Sequence, residues 1–373
     1  MTGTSLIVRE RARQSLTERV AEAEAELREM GITLAERTGP LPEDIVVEVL
    51  EQGALVDPIE LAALQTDQAY DLVTRDLSRA VSWGWEPLDA LLGPMLPGEL
   101  WLIGATTGNG KSTFLHNLQA GLAARRLSSL VFPLEVEPEL YRLRSACWQL
   151  NISLDDVLCH DWDAIGAPED EVRRWVAVAL ENLRANPFLH VAPTRRVTIP
   201  ELHKWIRWGV EKCGAEVVVV DHLHRFEVAG TDAGSYRVAM TELARNLRDV
   251  ARSLGVVILC AVQLNRERNR LDDYEAPDLW RIKEASAIAE EAAGVLMLSR
   301  DIDPSAEKGD LRAVRAGRLL PSAIERKGAM VVTCRKHRRR GRAKHRSELM
   351  RVTANERLEP WYPGPRLFGR EVG

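Results

Sequence analysis

The chain has 373 residues, 45% of them hydrophobic and 28% charged, which is the composition of an ordinary soluble globular protein. Its length predicts one large domain or two moderate ones. The formal net charge of −5 excludes a protein that coats nucleic acid through overall positive charge, so any such contact needs a local basic patch. No run approaches the roughly 18 apolar residues of a membrane helix and no apolar segment begins the chain, so we expect no membrane contact and no signal peptide.

The five cysteines are scattered along the chain without a CxxC pair, which indicates reduced thiols in a cytoplasmic protein. Two short patterns, His222-x-His224 and Cys334-x-x-His337, have the spacing of metal-ligand pairs. Each lacks a second pair of ligands at zinc-like spacing, so structural roles are favoured for these residues. The cysteines are Cys147, Cys159, Cys213, Cys260 and Cys334.

Residues 1–80 are predicted to form a helical, acidic N-terminal segment. A capping-box pattern, Ser15-x-x-Glu18, begins a helix that is expected to end at Gly31. Shorter helical patterns follow, and none of them carries catalytic residues. The segment is interpreted either as a helical packing module or as an element for assembly or partner docking.

A glycine-rich turn separates a strand predicted over Leu100–Ile103 from a helix predicted to begin at Lys111 and end near Arg125. A strand, a Gly-Lys-Ser turn and a helix together form the context that a phosphate-binding loop requires. Glycines let the main chain curl around a polyphosphate, whose charge suits the N–H groups of a helix N-terminus. The predicted binding residues are Ala105, Thr106, Thr107, Gly108, Asn109, Gly110, Lys111, Ser112 and Thr113.

Within this loop, Lys111 is expected to reach the β- and γ-phosphates of ATP, and the Ser112 hydroxyl is expected to ligate Mg²⁺. Ala105 occupies the position at which the usual pattern has glycine. An ordinary glycine-rich turn that binds no ligand therefore stays open as the alternative.

Two further predicted strands end close to carboxylates. The run 128–133 leads to Glu135, and four consecutive valines at 217–220 lead to Asp221. In a parallel α/β sheet the ligand binds at the carboxyl ends of the strands, so both carboxylates are expected to face the loop. Glu135 could orient and deprotonate an attacking water, and Asp221 could hold Mg²⁺ opposite Ser112. Each carboxylate alone is equally typical of a solvated strand end.

A strand predicted over 255–262 ends in the tetrad Gln263-Leu264-Asn265-Arg266. A neutral amide in that position can hydrogen-bond a γ-phosphate or the attacking water, and can report the nucleotide state to the next segment. That segment is a charged loop, 266–278, followed by 282–288 and by a strand over 294–299. A solvated surface loop is the alternative for its arginines.

A dense basic run, residues 335–346, follows a strand predicted over 329–334. Eight of its twelve residues are Lys or Arg, in a chain that is acidic overall. This asymmetry favours a phosphate partner over a solvated hairpin, either a nucleic-acid backbone or the nucleotide of a neighbouring subunit.

Taken together, these features resemble the RecA-like ATPase domain of DnaB-type replicative helicases. The resemblance runs from about Trp83 to Pro360, and the tetrad beginning at Gln263 is its most specific element. It implies a P-loop NTPase fold of α/β class, with a mostly parallel central sheet flanked by helices. The chain is accordingly divided into a helical N-terminal segment, 1–80, and an ATPase domain, 81–373. The resemblance is carried by the lead-in from Leu88 to Leu100, the P-loop, Pro133-Leu134-Glu135, Asp221, the tetrad, and Ile282 to Ile288.

The resemblance implies ATP and Mg²⁺ as cofactors and assigns the site residues their roles. Glu135 would be the general base, Asp221 the Walker B acid and Gln263 the γ-phosphate sensor. Lys336 and Arg338 match a pair that reaches the neighbouring subunit's nucleotide. The implied assembly is a homo-oligomer, a hexameric ring on single-stranded DNA. A loader or primase as a further partner stays open, because segment 1–80 does not match the family's N-terminal domain. With the charged loop and the basic run included, the expected DNA contacts are Arg266, Lys283, Glu284, Arg340 and Arg342.

Three departures keep alternatives open. Lys283 and Ser286 replace the Arg and Gly of the family's DNA loop, and segment 1–80 is shorter than the family's N-terminal domain. One alternative is a RecA- or KaiC-like ATPase in recombination or regulation that does not unwind DNA. Another is a nucleic-acid-binding scaffold with a degenerate nucleotide site.

Overall fold

The residues that the computed structural model describes all lie in the unit Leu77–Gly373. The predicted segment 1–80 therefore lies almost wholly outside the described residues, as do Arg266, Lys283 and Glu284. No helix in the described part is long and apolar enough to cross a membrane. The described residues are 77–193, 198–222, 233–264, 274, 277–282, 286–303, 305–306, 310, 313–314, 318–353 and 355–361.

A mixed sheet of nine strands forms the centre of the described part. In chain order the strands are β1 (Leu100–Ala105), β2 (Ser129–Pro133), β3 (Leu189–Val191), β4 (Val217–Asp221), β5 (Val257–Gln263), β6 (Gly294–Ile302), β7 (Glu325–His337), β8 (Ser347–Val352) and β9 (Leu358–Pro360). Their order across the sheet is β3-β2-β4-β5-β1-β6-β7-β8-β9. The strands from β3 to β6 in that order are parallel, and the last three continue the sheet antiparallel.

Helices connect the strands, and local sequence signals mark several of their ends. Helix α7 begins with a capping box between Thr198 and Glu201 and ends at Gly214, which has a φ of 63°. Helix α1 has a proline in its first turn and ends at Gly93. The helices are α1 (Glu86–Leu92), α2 (Lys111–Ala124), α3 (Pro138–Leu150), α4 (Leu154–Cys159), α5 (Trp162–Ile165), α6 (Glu169–Ala185), α7 (Ile199–Cys213), α8 (Ala233–Leu254) and α9 (Ser286–Glu291).

The central strands β4 and β5 are apolar up to their last residue, because both faces of the sheet are covered. Successive residues of a strand point to opposite faces. On one face Val218, Val220 and Ile258 join a core that includes residues of α7 and α8. On the other face Val219 and Leu259 join a core that includes residues of α2. A run of four valines is therefore the expected sequence for β4, since neither face of that strand meets water.

The predicted α/β class with a mostly parallel sheet is confirmed, and three features extend it. Helix α1 lies within the lead-in to β1, where no helix was predicted. Strands β8 and β9 add an antiparallel extension that the sequence pattern did not indicate. Strand β7 begins four residues earlier and ends three residues later than predicted, so Arg335 and Lys336 lie on a strand.

Candidate nucleotide site

The predicted site residues of the central strands meet at one edge of the sheet, where the parallel strands β1, β2, β4 and β5 have their carboxyl ends. The register pairs Ala105 at the end of β1 with Gln263 at the end of β5. It also pairs Pro133 at the end of β2 with Asp221 at the end of β4. The glycine-rich loop, Glu135, Asp221 and Gln263 therefore share this edge, which is where ligands of parallel α/β sheets bind.

The glycine-rich loop is held in a curled conformation that needs its two glycines. Gly108 has a φ of 87° and Gly110 a φ of 80°, both in the left-handed region, and a Cβ on Gly110 would overlap the side chain of Met330. The loop is braced internally, because the Asn109 side-chain nitrogen donates to Thr106 Oγ1 at 2.7 Å. Helix α2 begins directly after Gly110, so its first N–H groups belong to the loop.

Lys111 extends back along the loop from the first turn of α2. Its Nζ donates to the carbonyl oxygens of Ala105 at 2.9 Å and Thr106 at 3.3 Å. Burial lowers the pKa of this amine, and the negative charges of Asp221 and Glu135 oppose that shift. The cation is thus buried inside the curl of the loop, with two carboxylates near it to compensate its charge.

Asp221 is buried at the end of β4, with 4% of its surface exposed. Burial raises the pKa of its carboxyl group, and a hydrogen bond from the Ser112 side chain is the main opposing influence. Its Oδ1 is buried without a hydrogen-bond partner in the described structure. A carboxylate oxygen left without a donor, beside a serine hydroxyl, fits a hard cation such as Mg²⁺. The described residues hold no cluster of three or more His, Cys, Asp or Glu, so phosphate and water oxygens would complete the coordination.

Glu135 is exposed and lies two residues beyond the end of β2. Its main-chain N–H and that of Leu134 both donate to the carbonyl oxygen of Asp221, at 3.1 and 2.6 Å. These bonds fix the start of the loop that carries Glu135 against the end of β4. Its carboxylate is therefore close enough to influence the pKa values of both Lys111 and Asp221.

Gln263 connects the loop to a histidine that the sequence pattern did not indicate as functional. Its Nε2 donates to Thr107 Oγ1 at 3.1 Å, and its Oε1 lies 3.4 Å from Nε2 of His222. His222 directly follows Asp221, is 4% exposed, and has a pKa lowered by burial. The one available signal was its position next to a strand-end carboxylate, because the partner Gln263 lies 41 residues further along the chain.

Arg300 is a second residue that the sequence pattern missed. Its Nε donates to Asn109 Oδ1 at 3.1 Å, and its Nη1 forms an ion pair with Glu325 at 2.9 Å. The cation thus links the loop to the start of β7. Only the pairing of β1 with β6 brings Arg300 near the loop, and no local pattern reports that pairing.

Comparison with known proteins identifies the family. The family model described as the DnaB-like helicase C-terminal domain matches residues 80–346. The chain belongs to this family.

Relatives of the DnaB-like family support this assignment. The chain is 23% identical over 240 residues to the replicative DNA helicase DnaC of Bacillus subtilis (strain 168), covering 63% of this chain and 51% of the relative. It is 27% identical over 256 residues to the replicative DNA helicase DnaB of Pasteurella multocida (strain Pm70), covering 66% and 50%. The chain thus spans about half the length of the curated relatives it matches.

Two solved structures share the fold at 16% identity. One is described as the ATPase domain of G40P, with a TM-score of 0.61 and coverage of 83% of this chain and all of that chain. The other is a DnaB-like replicative helicase studied for its interactions with primase, also with a TM-score of 0.61, and covers 96% and 77%. At this identity, the likeness shows the RecA-like fold alone.

The pair that matches the family's intersubunit residues, Lys336 and Arg338, lies away from its own chain's loop. Lys336 Nζ donates to the carbonyl oxygens of Ala289 and Glu290 at 2.7 and 2.8 Å, and the Arg338 guanidinium also donates to Glu290. Both cations therefore cap the C-terminus of α9, a favourable place for positive charge. Burial and the neighbouring Arg338 lower the pKa of Lys336 to about 8.

Strand register gives the distance of this pair from the loop. The N–H of Arg338 bonds the carbonyl of Ala293, and the N–H of Ala293 bonds the carbonyl of Leu100, so Arg338 lies level with the start of β1. The loop follows the other end of β1, five residues on, which is about 16 Å at roughly 3.3 Å per residue. The pair and its own loop thus lie towards opposite edges of the sheet.

The basic run is partly engaged in contacts within the domain. Arg339 forms an ion pair with Glu99 at 2.7 Å, and Arg340 donates to the carbonyl oxygen of Ala90 at 3.2 Å. Lys344 is exposed in the turn between β7 and β8. Arg342 lies in the same turn, its side chain outside the described part. Arg340 is therefore held partly as a structural residue, while the end of the turn remains open to solvent at Lys344.

His337 and Cys334 have structural contacts. The His337 ring nitrogen is 2.8 Å from the carbonyl oxygen of Leu92, and Cys334 Sγ contacts the carbonyl of Lys336. These contacts agree with the structural roles favoured by the sequence. His224 of the other pattern lies outside the described residues.

Proposed function

We propose that this chain is an ATP-dependent DNA helicase motor, which hydrolyses ATP in a hexameric ring around single-stranded DNA during DNA replication. The observation that carries the proposal is the convergence of the loop, Glu135, Asp221 and Gln263 at one sheet edge, in a chain of the DnaB-like family. The named activity of the curated relatives supports the same function.

The reaction is in-line attack of water on the γ-phosphate, which releases ADP and phosphate. The loop N–H groups and Lys111 bind the phosphate oxygens and stabilise the charge that develops on them. Ser112 and Asp221 would hold Mg²⁺, which neutralises phosphate charge when bound. Glu135 accepts the proton of the attacking water, and the Gln263 amide donates to the γ-phosphate or orients that water. The exposure of Glu135 gives it access to solvent water.

We assign Lys336 and Arg338 to the nucleotide of a neighbouring subunit. Their distance from the loop of their own chain makes a contribution in cis geometrically unfavourable. A cation supplied in trans contributes roughly 10³-fold or more to turnover in related phosphoryl-transfer enzymes. Reaching a neighbour requires both side chains to leave the carbonyl oxygens at the end of α9, so assembly and activity are coupled.

The proposal is tested by measuring ATP hydrolysis over a wide range of protein concentrations, with and without single-stranded DNA. We expect activity per chain to rise steeply with concentration and to rise further with DNA, together with ring-shaped particles in negative-stain images. A monomer with full, DNA-independent activity would exclude the ring mechanism.

A forked-duplex unwinding assay distinguishes the helicase from a RecA- or KaiC-like ATPase, which would hydrolyse ATP without separating strands. Lys111→Ala tests the scaffold alternative, because that change should abolish nucleotide-dependent behaviour only if the site is used.

One relative of known structure was described together with primase. We propose a primase or loader as the partner class for this chain, to be tested by co-sedimentation with the assembled ring.

A further inference from the structure

A chain of three polar side chains crosses the nucleotide site from the loop to β4. Thr107 of the loop accepts from the Gln263 amide nitrogen at 3.1 Å, and the Gln263 amide oxygen faces the His222 ring nitrogen at 3.4 Å. Each residue comes from a different part of the chain: Thr107 follows β1, Gln263 is the last residue of β5, and His222 follows β4. The Gln263 side chain is therefore held from both ends.

Packing alone does not account for the position of His222. The residue is only 4% exposed, yet a polar atom of its ring, Nε2, lies 3.4 Å from the Gln263 amide oxygen. An apolar side chain would fill the same space without a polar group to satisfy. A buried ring nitrogen next to the Gln263 amide thus influences which end of that amide faces the loop.

The two ends of a glutamine amide are nearly equal in size but opposite in hydrogen bonding, since one is a double donor and the other an acceptor. With the nitrogen of Gln263 on Thr107, its oxygen faces Nε2 of His222 and accepts from it when that nitrogen carries the proton. If the Gln263 amide were flipped, its acceptor oxygen would face the phosphate anions, and the attraction between the NH₂ group and those anions would be lost. A donor fixed at the far end of the amide prevents that flip.

We propose that His222 is a positioning residue for ATP hydrolysis, which holds the Gln263 amide with its NH₂ group towards the loop and the γ-phosphate. This inference rests on the proposed ATPase function and deepens it. His222 acts through Gln263 and need not touch the nucleotide. The role requires a donor at Nε2, and both the neutral Nε2–H tautomer and the imidazolium provide one.

The test compares His222→Phe, which keeps a planar ring but removes the donor, with His222→Gln, whose terminal NH₂ reaches about as far as Nε2. We expect His222→Phe to lower kcat about tenfold, while affinity for a fluorescent ATP analogue changes less than twofold. His222→Gln should recover at least half of the lost rate. His190→Phe is the matched control, because His190 lies on the edge strand β3, and it should leave both values unchanged.

A double-mutant cycle supplies the decisive comparison, because residues that act through each other have non-additive effects. Adding His222→Phe to Gln263→Ala should cost little further rate. The inference would be overturned if the double variant lost turnover by the product of the two single losses. An unchanged kcat in His222→Phe, or a loss of nucleotide binding as large as its loss of turnover, would also overturn it. If His222→Phe does not fold, the flexible, donor-free His222→Met takes its place. Failure of the proposed function would look different, since the unmodified protein would then hydrolyse no ATP.

Discussion

Replacing Asn117 by leucine is expected to destabilise the ATPase body strongly, because this amide joins three elements behind the P-loop. From α2, its nitrogen donates to the carbonyl oxygens of Thr113 at 2.9 Å and Glu356 at 2.7 Å. Its oxygen accepts from Trp148 Nε1 at 2.8 Å and from the N–H of Leu358 at 2.9 Å. Asn117 is 4% exposed, so little water could replace the amide.

The size of the destabilisation follows from the polar groups that lose their hydrogen bond to Asn117. The indole N–H of Trp148, the N–H of Leu358 and the carbonyl of Glu356 would each lose a hydrogen bond, whereas the carbonyl of Thr113 lies within the helix. A buried group left unpaired costs about 1–3 kcal/mol. Since Trp148 and Glu356 are only half-buried, water restores part of this loss. We expect a destabilisation of about 3–5 kcal/mol, which lowers Tm by about 6–10 °C at roughly 2 °C per kcal/mol.

Thermal unfolding of the full chain, followed by tryptophan fluorescence, measures this change. Asn182→Leu is the matched control, because Asn182 lies on the exposed side of α6 and its replacement should change stability by less than about 0.5 kcal/mol. A variant at Asn117 that melts within 2 °C of the unmodified protein, on the scale of about 2 °C per kcal/mol, would refute the reasoning.

Four further predictions concern the site and the basic turn. Glu135→Gln should lower ATP turnover by roughly 10²-fold or more while leaving nucleotide affinity unchanged, as measured by steady-state hydrolysis and fluorescent-nucleotide titration. Arg338→Ala should lower turnover of the assembled ring by roughly 10³-fold, again without loss of nucleotide binding. Lys336 has a pKa of about 8 while it caps α9, so in the unassembled chain its amine should lose its proton between pH 7 and pH 9, as followed by NMR titration, and Lys336→Arg should remove that titration. Neutralising Arg342 and Lys344 should reduce the slope of log affinity for single-stranded DNA against log salt by about 0.7 for each residue.

Each of these has an opposing result. Equal losses of binding and turnover in Glu135→Gln would assign that carboxylate to nucleotide binding. Full activity of Arg338→Ala rings would remove Arg338 from the neighbour's site. A titration that Lys336→Arg leaves unaltered would place the titrating group elsewhere. A salt slope unchanged by the substitutions at Arg342 and Lys344 would leave the turn as an ordinary solvated surface.

The parts of the fold that the sequence predicted are those with strong local signals. The valine run of β4 and the Gly-Lys-Ser turn before α2 each indicate the local structure within a few residues. Strands β8 and β9 lacked such a signal, because they lie at the end of the sheet, where alternating burial and charged side chains resemble a loop. Helix α1 has only seven residues, and no helix was predicted in the lead-in to β1.

The candidate site was predictable where chemistry coincides with strand ends. Glu135, Asp221 and Gln263 each follow an apolar run, and the rule for parallel sheets brings such ends together. His222 and Arg300 were missed because their contacts depend on tertiary register. His222 meets Gln263 only through the neighbouring ends of β4 and β5, and Arg300 meets the loop only through the pairing of β6 with β1. The roles of all these residues remain predictions.

The direction of β7 has a mechanical consequence. Near the middle of β7, Met330 lies against Gly110 of the loop, and Arg338, eight residues later, stands just beyond the end of the strand. A paired strand hardly stretches, so these two points stay about 26 Å apart, at roughly 3.3 Å per residue. Within the proposed ring, β7 would be a rigid connection between the phosphate-binding loop of its own subunit and the nucleotide site of the neighbouring subunit. A shift of the loop on nucleotide release would then be delivered to the adjoining subunit along a single strand.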